Sequence, residues 1–155
     1  MNYKYINIYN NLINITRNKE LYKNFTTQDT FSDRLIIFLL HFAFFLKVFK
    51  KDNEKKNLQK IYDYLFRQLE LSIREIGYGD QSINKKMKDY INLFHSMISE
   101  IHFWKNLTRK QKIEKFSSFL TDFNEIDDLL DYFELFDENL SKKTLNSYLK
   151  SVSNP

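Results

Sequence analysis

The position of the glycines is the feature that most limits what this chain can fold into. Only two of the 155 residues are glycine, and both, Gly77 and Gly79, lie in one four-residue stretch between two long amphipathic patterns. Glycine is needed where the backbone takes a positive φ or approaches another group closely. We therefore expect long helices that meet at one shaped corner, residues 77–80, with Gly77 in the left-handed conformation that often ends a helix.

Helical periodicity accounts for nearly all of the chain. Apolar residues recur at helical spacing in segments that begin near Tyr3, Asp29, Leu58, Ser82, Thr108, Asp122 and Lys142. Runs with the strict alternation of a strand are absent. The sequence predicts an all-α fold, a single compact helical bundle of about six to eight helices over residues 1–155, with acidic C-terminal helices over about 108–151.

Local patterns predict where individual helices begin and which side faces the core. Ser82 is the expected N-cap of the helix after the corner, and Thr108 with Gln111 forms a capping box. The helix before the corner carries one apolar stripe, which is expected to face inward: Leu58, Ile61, Tyr62, Leu65, Leu69, Ile73 and Ile76.

Composition excludes several classes of protein. The absence of cysteine rules out a disulfide scaffold, a cysteine nucleophile and thiolate metal sites. The most apolar run, Leu35 to Leu46, would span about 18 Å as a helix, against about 30 Å of bilayer hydrocarbon. It therefore predicts a buried central helix rather than a membrane span. The first twenty residues show no signal or transit peptide pattern, so a cytoplasmic location is expected.

Charge is divided unevenly along the chain. Residues 1–115 carry 21 Lys and Arg against 12 Asp and Glu, a net of +9, whereas residues 116–155 carry 3 against 8, a net of −5. The basic part suits an anionic partner such as RNA or a lipid surface. The alternative is that the acidic part serves as its internal counterweight.

Three lysines, Lys85, Lys86 and Lys88, follow the corner. If Ser82 caps the helix, these lysines open it, where the partial positive charge of a helix N-terminus makes each unfavourable by a few tenths of a kcal/mol. Together with Arg74 they form a candidate cationic ridge. The alternative is a solvated helix face in a lysine-rich chain.

No residue pattern predicts catalysis, a metal site or a cofactor. His95 and His102 are seven residues apart, but no carboxylate lies at ligand spacing beside either of them. His41 lies among Phe and Leu residues, which is typical of a hydrogen-bonded core histidine. The serines lack a nucleophile elbow, and the acidic run 122–138 does not match a calcium loop. The sequence therefore predicts a protein that is not an enzyme.

Two stretches are specific enough to indicate a family. The first is residues 29–34 (DTFSDR), which lead to Leu40 and His41, and the second is residues 71–88, which contain the corner and the lysines. They resemble the two signature stretches of the ubiquinol–cytochrome c chaperone family, the second nearly throughout. The resemblance covers about residues 5 to 105. Ile83 replaces the family's usual valine, and Phe94-His95 stand where a Tyr-Gly pair is common.

The resemblance implies a helical, non-enzymatic assembly chaperone for cytochrome b, the membrane subunit of ubiquinol–cytochrome c reductase (respiratory complex III). Newly made or unassembled cytochrome b would be its partner. By analogy with the mitochondrial members of the family, a small partner protein and the ribosome are further expected partners. The lysines predict an anionic membrane surface as another, and no specific DNA partner is expected. Without a transit peptide the chain resembles a bacterial member, peripheral at the inner face of the inner membrane.

Carried over position by position, the resemblance marks candidate partner-binding residues: Asp29, Thr30, Arg34 and His41 in the first stretch, and Arg74, Glu75, Gly77, Tyr78, Gly79, Asp80, Lys85, Lys86 and Lys88 in the second. Arg34 and His41 are seven residues apart, so they fall on one helix face. We expect Asp80 or Glu75 to pair with Arg34 and so to hold the corner against the central helix.

Two functions of other classes also fit the sequence. One is a general RNA- or ribosome-binding helical module, which would bind RNA without a client, although no recognised RNA-binding motif is present. The other is an accessory or quinone-binding protein whose aromatic interior forms a ligand pocket. An apolar ligand in the purified protein would indicate the latter.

Overall fold

The computed structural model describes residues 3–18, 21–22, 31–50, 55–120 and 123–150. They form seven α-helices and one 3-10 turn: α1 (Tyr3–Thr16), α2 (Phe31–Phe49), α3 (Lys55–Glu75), α4 (Asp80–Ile101), the turn Trp104–Asn106, α5 (Arg109–Phe119), α6 (Ile126–Ser141) and α7 (Leu145–Lys150). The predicted all-α bundle is confirmed, and no strand element occurs in these ranges. None of these helices has the length and apolar character that crossing a bilayer would require.

The helix α2 is the centre of the bundle. It is buried at Leu35 and over the unbroken run 37–45, since other helices surround it. Its rings meet three other helices, with centroids 5.0 to 5.3 Å apart: Phe42–Phe94 (α4), Phe44–Phe133 (α6) and Phe45–Tyr148 (α7). The prediction of a buried central helix is confirmed.

The helices α3 and α4 form a hairpin whose inner faces follow the predicted stripes. Five stripe residues of α3 are buried: Leu58, Ile61, Leu65, Leu69 and Ile73. The inward prediction for Ile76 is wrong, because α3 ends at Glu75 and the Ile76 side chain is 50% exposed beyond it. Phe66 of α3 meets Phe94 of α4 at 5.3 Å between ring centroids.

The start of α4 also differs from the prediction. The helix begins at Asp80 with Gly79 as its N-cap residue, so the assignment of Ser82 as N-cap is wrong. Gly79 has an extended backbone, with φ −72° and ψ 163°, which allows the helix to begin directly after it. Asp80 in the first turn places a negative charge where the helix dipole favours one.

The C-terminal helices are tied to the rest by caps and ion pairs. The capping box is confirmed: Thr108 Oγ1 accepts from the Gln111 amide, and the Gln111 side chain accepts from the Thr108 amide. Carboxylates of α6 pair with cations of α5 and α2: Asp127 and Asp131 with Arg109, Glu134 with Lys112, and Asp137 with Lys47. Asp122, near which this helix was expected to begin, lies outside the described residues; the N-cap residue of α6 is Glu125.

Candidate functional site

The residues marked by the resemblance fall into three places. Most of the second stretch lies at the α3–α4 corner and on the following turns of α4, and Arg34 lines a cavity beside α2. His41 is fully buried in the core. Asp29 and Thr30 lie outside the described residues. The first stretch, residues 29–34, also contacts α4, because the Ser32 hydroxyl lies 3.4 Å from the hydroxyl of Tyr90.

Only one of the two corner glycines is required by its backbone. Gly77 has φ +101°, a conformation that residues other than glycine rarely adopt. Its amide donates to the Arg74 carbonyl at 3.0 Å and so closes the end of α3. The expected left-handed residue is therefore confirmed. Gly79 has an ordinary φ, and a Cβ added there would meet nothing within 4 Å. Nothing in the described structure demands glycine at position 79.

Asp80 is held by Arg74, on the other side of the corner. The guanidinium of Arg74 donates to Asp80 at 2.8 Å and to Glu70 at 3.3 Å. These hydrogen bonds, that with Asp80 first, raise the pKa of Arg74. The expected pairing of Asp80 or Glu75 with Arg34 is wrong. Asp80 pairs with Arg74, which is only six residues away across the turn, and no ion pair joins Glu75 to Arg34, although both residues are described. Both charges are on the surface, so the pair shapes the corner more than it stabilises the fold.

The three lysines do not open α4. Since the helix begins at Asp80, Lys85 and Lys86 lie in its second turn and Lys88 at the start of its third. The dipole effect falls off within the first turn, so the prediction that the helix N-terminus disfavours these lysines is wrong. Lys85 and Lys88 are exposed, and the Lys86 ammonium lies 4.5 Å from the centroid of the Tyr78 ring. This is a cation–π contact.

Apolar side chains are also exposed at the end of α3 and at the corner. Leu71, Ile76 and Tyr78 are 39%, 50% and 42% exposed, and they are three of the seven large apolar side chains exposed in the described part of the chain. We call these three, with Lys85, Lys86 and Lys88, the corner surface. Exposed Ile76 was missed from the sequence because its spacing matches the buried stripe, and only the helix end at Glu75 separates the two.

A cavity of about 710 Å³ lies between α1, α2 and α3. Its walls are mainly aromatic and aliphatic, formed by Tyr9, Phe31, Phe38, Leu65 and Leu69. Arg34 and Ser72, one from each family stretch, also line it. We call it the aromatic cavity. It is the place where the fold brings the two stretches to one apolar surface.

His41 is a buried core residue, and both of its ring nitrogens lie within hydrogen-bonding distance of a partner. Its Nδ1 lies 2.8 Å from the Ile37 carbonyl and its Nε2 2.6 Å from the Tyr132 hydroxyl. A carbonyl only accepts, so Nδ1 carries the proton and neutral Nε2 accepts from Tyr132. Burial lowers the pKa of His41 to about 4, and the bond to Ile37 opposes that shift only in part. Tyr132 is 91 residues away, and nothing in the sequence indicated it.

No metal centre accompanies these surfaces in the described residues. Groups of three His, Asp or Glu side chains close enough to hold an ion are absent from those ranges. His95 Nε2 instead lies 3.2 Å from the Tyr62 hydroxyl.

Comparison with known proteins bears directly on the two stretches. A family model described as Ubiquinol-cytochrome C chaperone matches residues 23–103, slightly more than half of the chain. The match contains both stretches and confirms the resemblance, although it begins later than the expected residue 5. Comparison with curated proteins and with solved structures finds no match.

Proposed function

Because the chain belongs to the ubiquinol–cytochrome c chaperone family, we propose that it assists complex III assembly by holding unassembled cytochrome b, without catalysing a reaction. The family match over residues 23–103 is the observation that carries this proposal. The described structure adds a cationic, partly apolar corner within the matched region, and an apolar cavity that the matched region forms together with α1. An assembly chaperone needs both an apolar client surface and a means of staying near the membrane.

The aromatic cavity is the proposed client contact. Unassembled cytochrome b exposes apolar helix surface, and burying such surface is favourable by about 25 cal/mol per Å². A cavity of about 710 Å³ is smaller than a whole transmembrane helix, which is about 10 Å wide and 30 Å long. The cavity would therefore accept a few client side chains rather than a complete span.

The corner surface is the proposed membrane contact. Lysines attract anionic headgroups by about 1 kcal/mol each near a membrane surface, and exposed apolar side chains insert at the interface. Ile76 and Tyr78 stand beside these lysines in the chain, and Lys86 packs on the Tyr78 ring. The protein would then be peripheral at the inner face of the inner membrane.

The client contact can be tested by capture from native membranes. Phe31 lines the aromatic cavity and is 42% exposed, so Phe31→Ser should weaken client binding without disturbing the core. The matched control is Leu135→Ser, since Leu135 is 58% exposed and lies on α6 outside the family match. Tagged wild type and the Leu135 variant should recover cytochrome b, and the Phe31 variant should recover several-fold less.

Different results would separate the proposals. If wild type recovers no cytochrome b, the proposal that cytochrome b is the client is wrong. If the Phe31 and Leu135 variants recover equal amounts of cytochrome b, the aromatic cavity is not the client contact. Recovery of ribosomal RNA in place of cytochrome b would favour the general RNA-binding module.

The corner surface needs a separate experiment with the Lys85→Glu/Lys86→Glu variant. Its sedimentation with anionic vesicles should fall, and wild-type binding should weaken as salt rises, because salt screens lysine–phosphate contacts. Vesicle binding that is independent of salt and unchanged in the variant would reduce these lysines to solvated surface.

A further inference from the structure

A second groove lies at the opposite end of the α3–α4 hairpin from the corner. Its walls come from the C-terminal part of α2, the N-terminal half of α3, the C-terminal half of α4 and the turn Trp104–Asn106. Its volume is about 1050 Å³. Ligand pockets in proteins span roughly 300 to 1,000 Å³, so this groove has room for one large organic molecule.

The groove has an apolar floor. Leu46, Leu58 and Ile98 line it, and Phe103 lies at its edge. Phe103 is 64% exposed, more than any other large apolar side chain in the described ranges. A hydrogen bond of 3.2 Å joins Tyr62 on the α3 wall to His95 on the α4 wall.

The rim of the groove is cationic. Lys50, Lys55 and Lys105 line it and are exposed, and no acidic side chain is among the described residues that line it. Lys47 also lines the groove, but Asp137 neutralises it at 2.8 Å. The neighbouring segment 51–54, outside the described residues, has a net charge of −1 in the sequence (one Lys, one Asp and one Glu), which leaves the rim positive.

We propose that this groove binds one anionic phospholipid, with an acyl chain on the apolar floor and the phosphate at Lys50, Lys55 and Lys105. The charge of the rim argues against a client helix as the occupant. Membrane helices carry an excess of Lys and Arg at their cytoplasmic ends, which three lysines would repel. An anionic amphiphile matches both parts of the groove. This site lies apart from the aromatic cavity and the corner surface, and it does not depend on the client.

Monomeric lysophosphatidylglycerol is the probe, used with the full chain below its micelle concentration in isothermal titration. The zwitterionic lysophosphatidylcholine tests whether binding needs the net negative charge of the headgroup. Glycerol 3-phosphate, which has no acyl chain, tests whether binding needs the acyl chain. We expect lysophosphatidylglycerol to bind at least tenfold more tightly than either. Equal binding of lysophosphatidylcholine would overturn the role of the lysines, and equal binding of glycerol 3-phosphate would overturn the role of the apolar floor.

Two matched pairs of variants locate the site. Lys50→Glu/Lys105→Glu should weaken binding at least about tenfold, because each lysine near an anionic lipid contributes about 1 kcal/mol. Lys110→Glu/Lys142→Glu changes the net charge equally at two exposed positions outside both the groove and the corner surface, and it should bind as wild type does. Phe103→Ser should weaken binding and Leu135→Ser should not. All these side chains are exposed, and a thermal melt verifies the fold.

If the Lys110→Glu/Lys142→Glu control loses the lipid and the groove variant keeps it, the proposal is overturned. It is also overturned if all four variants bind as wild type does. Neither result bears on cytochrome b capture, which is measured with Phe31→Ser, so failure of this site and failure of the client proposal are distinguishable.

Discussion

At the scale of single residues, the two corner glycines have different reasons to be glycine. Gly77 needs its positive φ to end α3, whereas Gly79 has a backbone that any residue can adopt and open space where a side chain would project. The fold therefore explains Gly77 and does not explain Gly79. A partner that approaches the corner backbone closely would explain the second glycine.

Substitution by alanine separates these two reasons. Gly77→Ala should lower the free energy of unfolding by about 1 to 2 kcal/mol, because alanine is strained at φ +101°. Gly79→Ala should change it by less than about 0.5 kcal/mol, as is usual for surface substitutions. Denaturant titration measures both. Equal losses would contradict this assignment, and a stable Gly79 variant that fails to capture cytochrome b would place a partner at the corner.

The buried His41 makes stability depend on pH. Its folded pKa of about 4 lies below the ordinary value of about 6.5, so between these values the unfolded chain binds a proton that the folded chain does not. Stability should therefore fall as the pH is lowered from about 6.5 to about 4, by about 1.4 kcal/mol per pH unit from this group. Above pH 6.5 its contribution should be constant.

The variant His41→Gln should flatten that slope, whereas His95→Gln, at an exposed position, should keep it. Unfolding by urea at several pH values measures both. Identical slopes in the two variants would show that His41 is not the source.

At the scale of helices, the sequence predicted what depends on neighbouring residues. The start of α1 near Tyr3, the capping box at Thr108 and five of the seven stripe positions of α3 follow local spacing, and the structure confirms them. The N-cap prediction for Ser82 failed because the helix starts three residues earlier, with Gly79 as N-cap. A serine inside the first turn of a helix cannot be distinguished from an N-cap serine by sequence alone. The Arg74–Asp80 pair depends on the exact turn, which periodicity does not specify.

The capping box of α5 provides a test at this scale. Thr108→Ala should lower stability by about 1 kcal/mol, because the Gln111 amide loses its acceptor. Thr108→Ser keeps the hydroxyl and should retain most of that stability. Thermal unfolding followed by circular dichroism measures both, and an alanine variant as stable as the serine variant would contradict the role of the cap.

Breaking the ion pair between α2 and α6 is expected to lower the free energy of unfolding more than removing the cap does. Lys47 and Asp137 are paired at 2.8 Å with side chains only 10% and 6% exposed. Asp137→Asn would remove the Asp137 carboxylate from the nearly buried Lys47 ammonium and should cost about 3 kcal/mol. The double variant Lys47→Met/Asp137→Leu removes both charges and should recover most of this. Equal destabilisation by the single and double variants would mean that packing, not charge, holds the two helices.

At the scale of the whole molecule, the acidic C-terminal part is an internal counterweight. Four carboxylates of α6 form ion pairs with Arg109, Lys112 and Lys47, so cations of the same chain neutralise much of its negative charge. The lysines of the corner surface, and Lys50, Lys55 and Lys105 at the rim of the groove, have no such pairing among the described carboxylates. The uneven charge of the sequence indicated this division, but which lysines would remain at the surface depends on helix packing.

The same packing predicts that the family-matched region does not fold alone. Phe44 of α2 packs on Phe133 of α6 and on Trp104, and Phe45 packs on Tyr148 of α7; all three partners lie outside residues 23–103. Asn11 of α1 also donates to the Tyr148 carbonyl at 3.2 Å, so α1 and α7 close the bundle together. A fragment of residues 23–103 would expose the inner rings of α2 to water.

We therefore expect the full chain to unfold in one cooperative transition, since its described helices share one core. The 23–103 fragment should keep helical circular dichroism but bind a hydrophobic dye and melt without a sharp midpoint, as loosely packed states do. A fragment with a sharp transition and no dye binding would instead make α1 and the C-terminal helices additions to an autonomous domain. The single domain predicted over residues 1–155 would then be wrong.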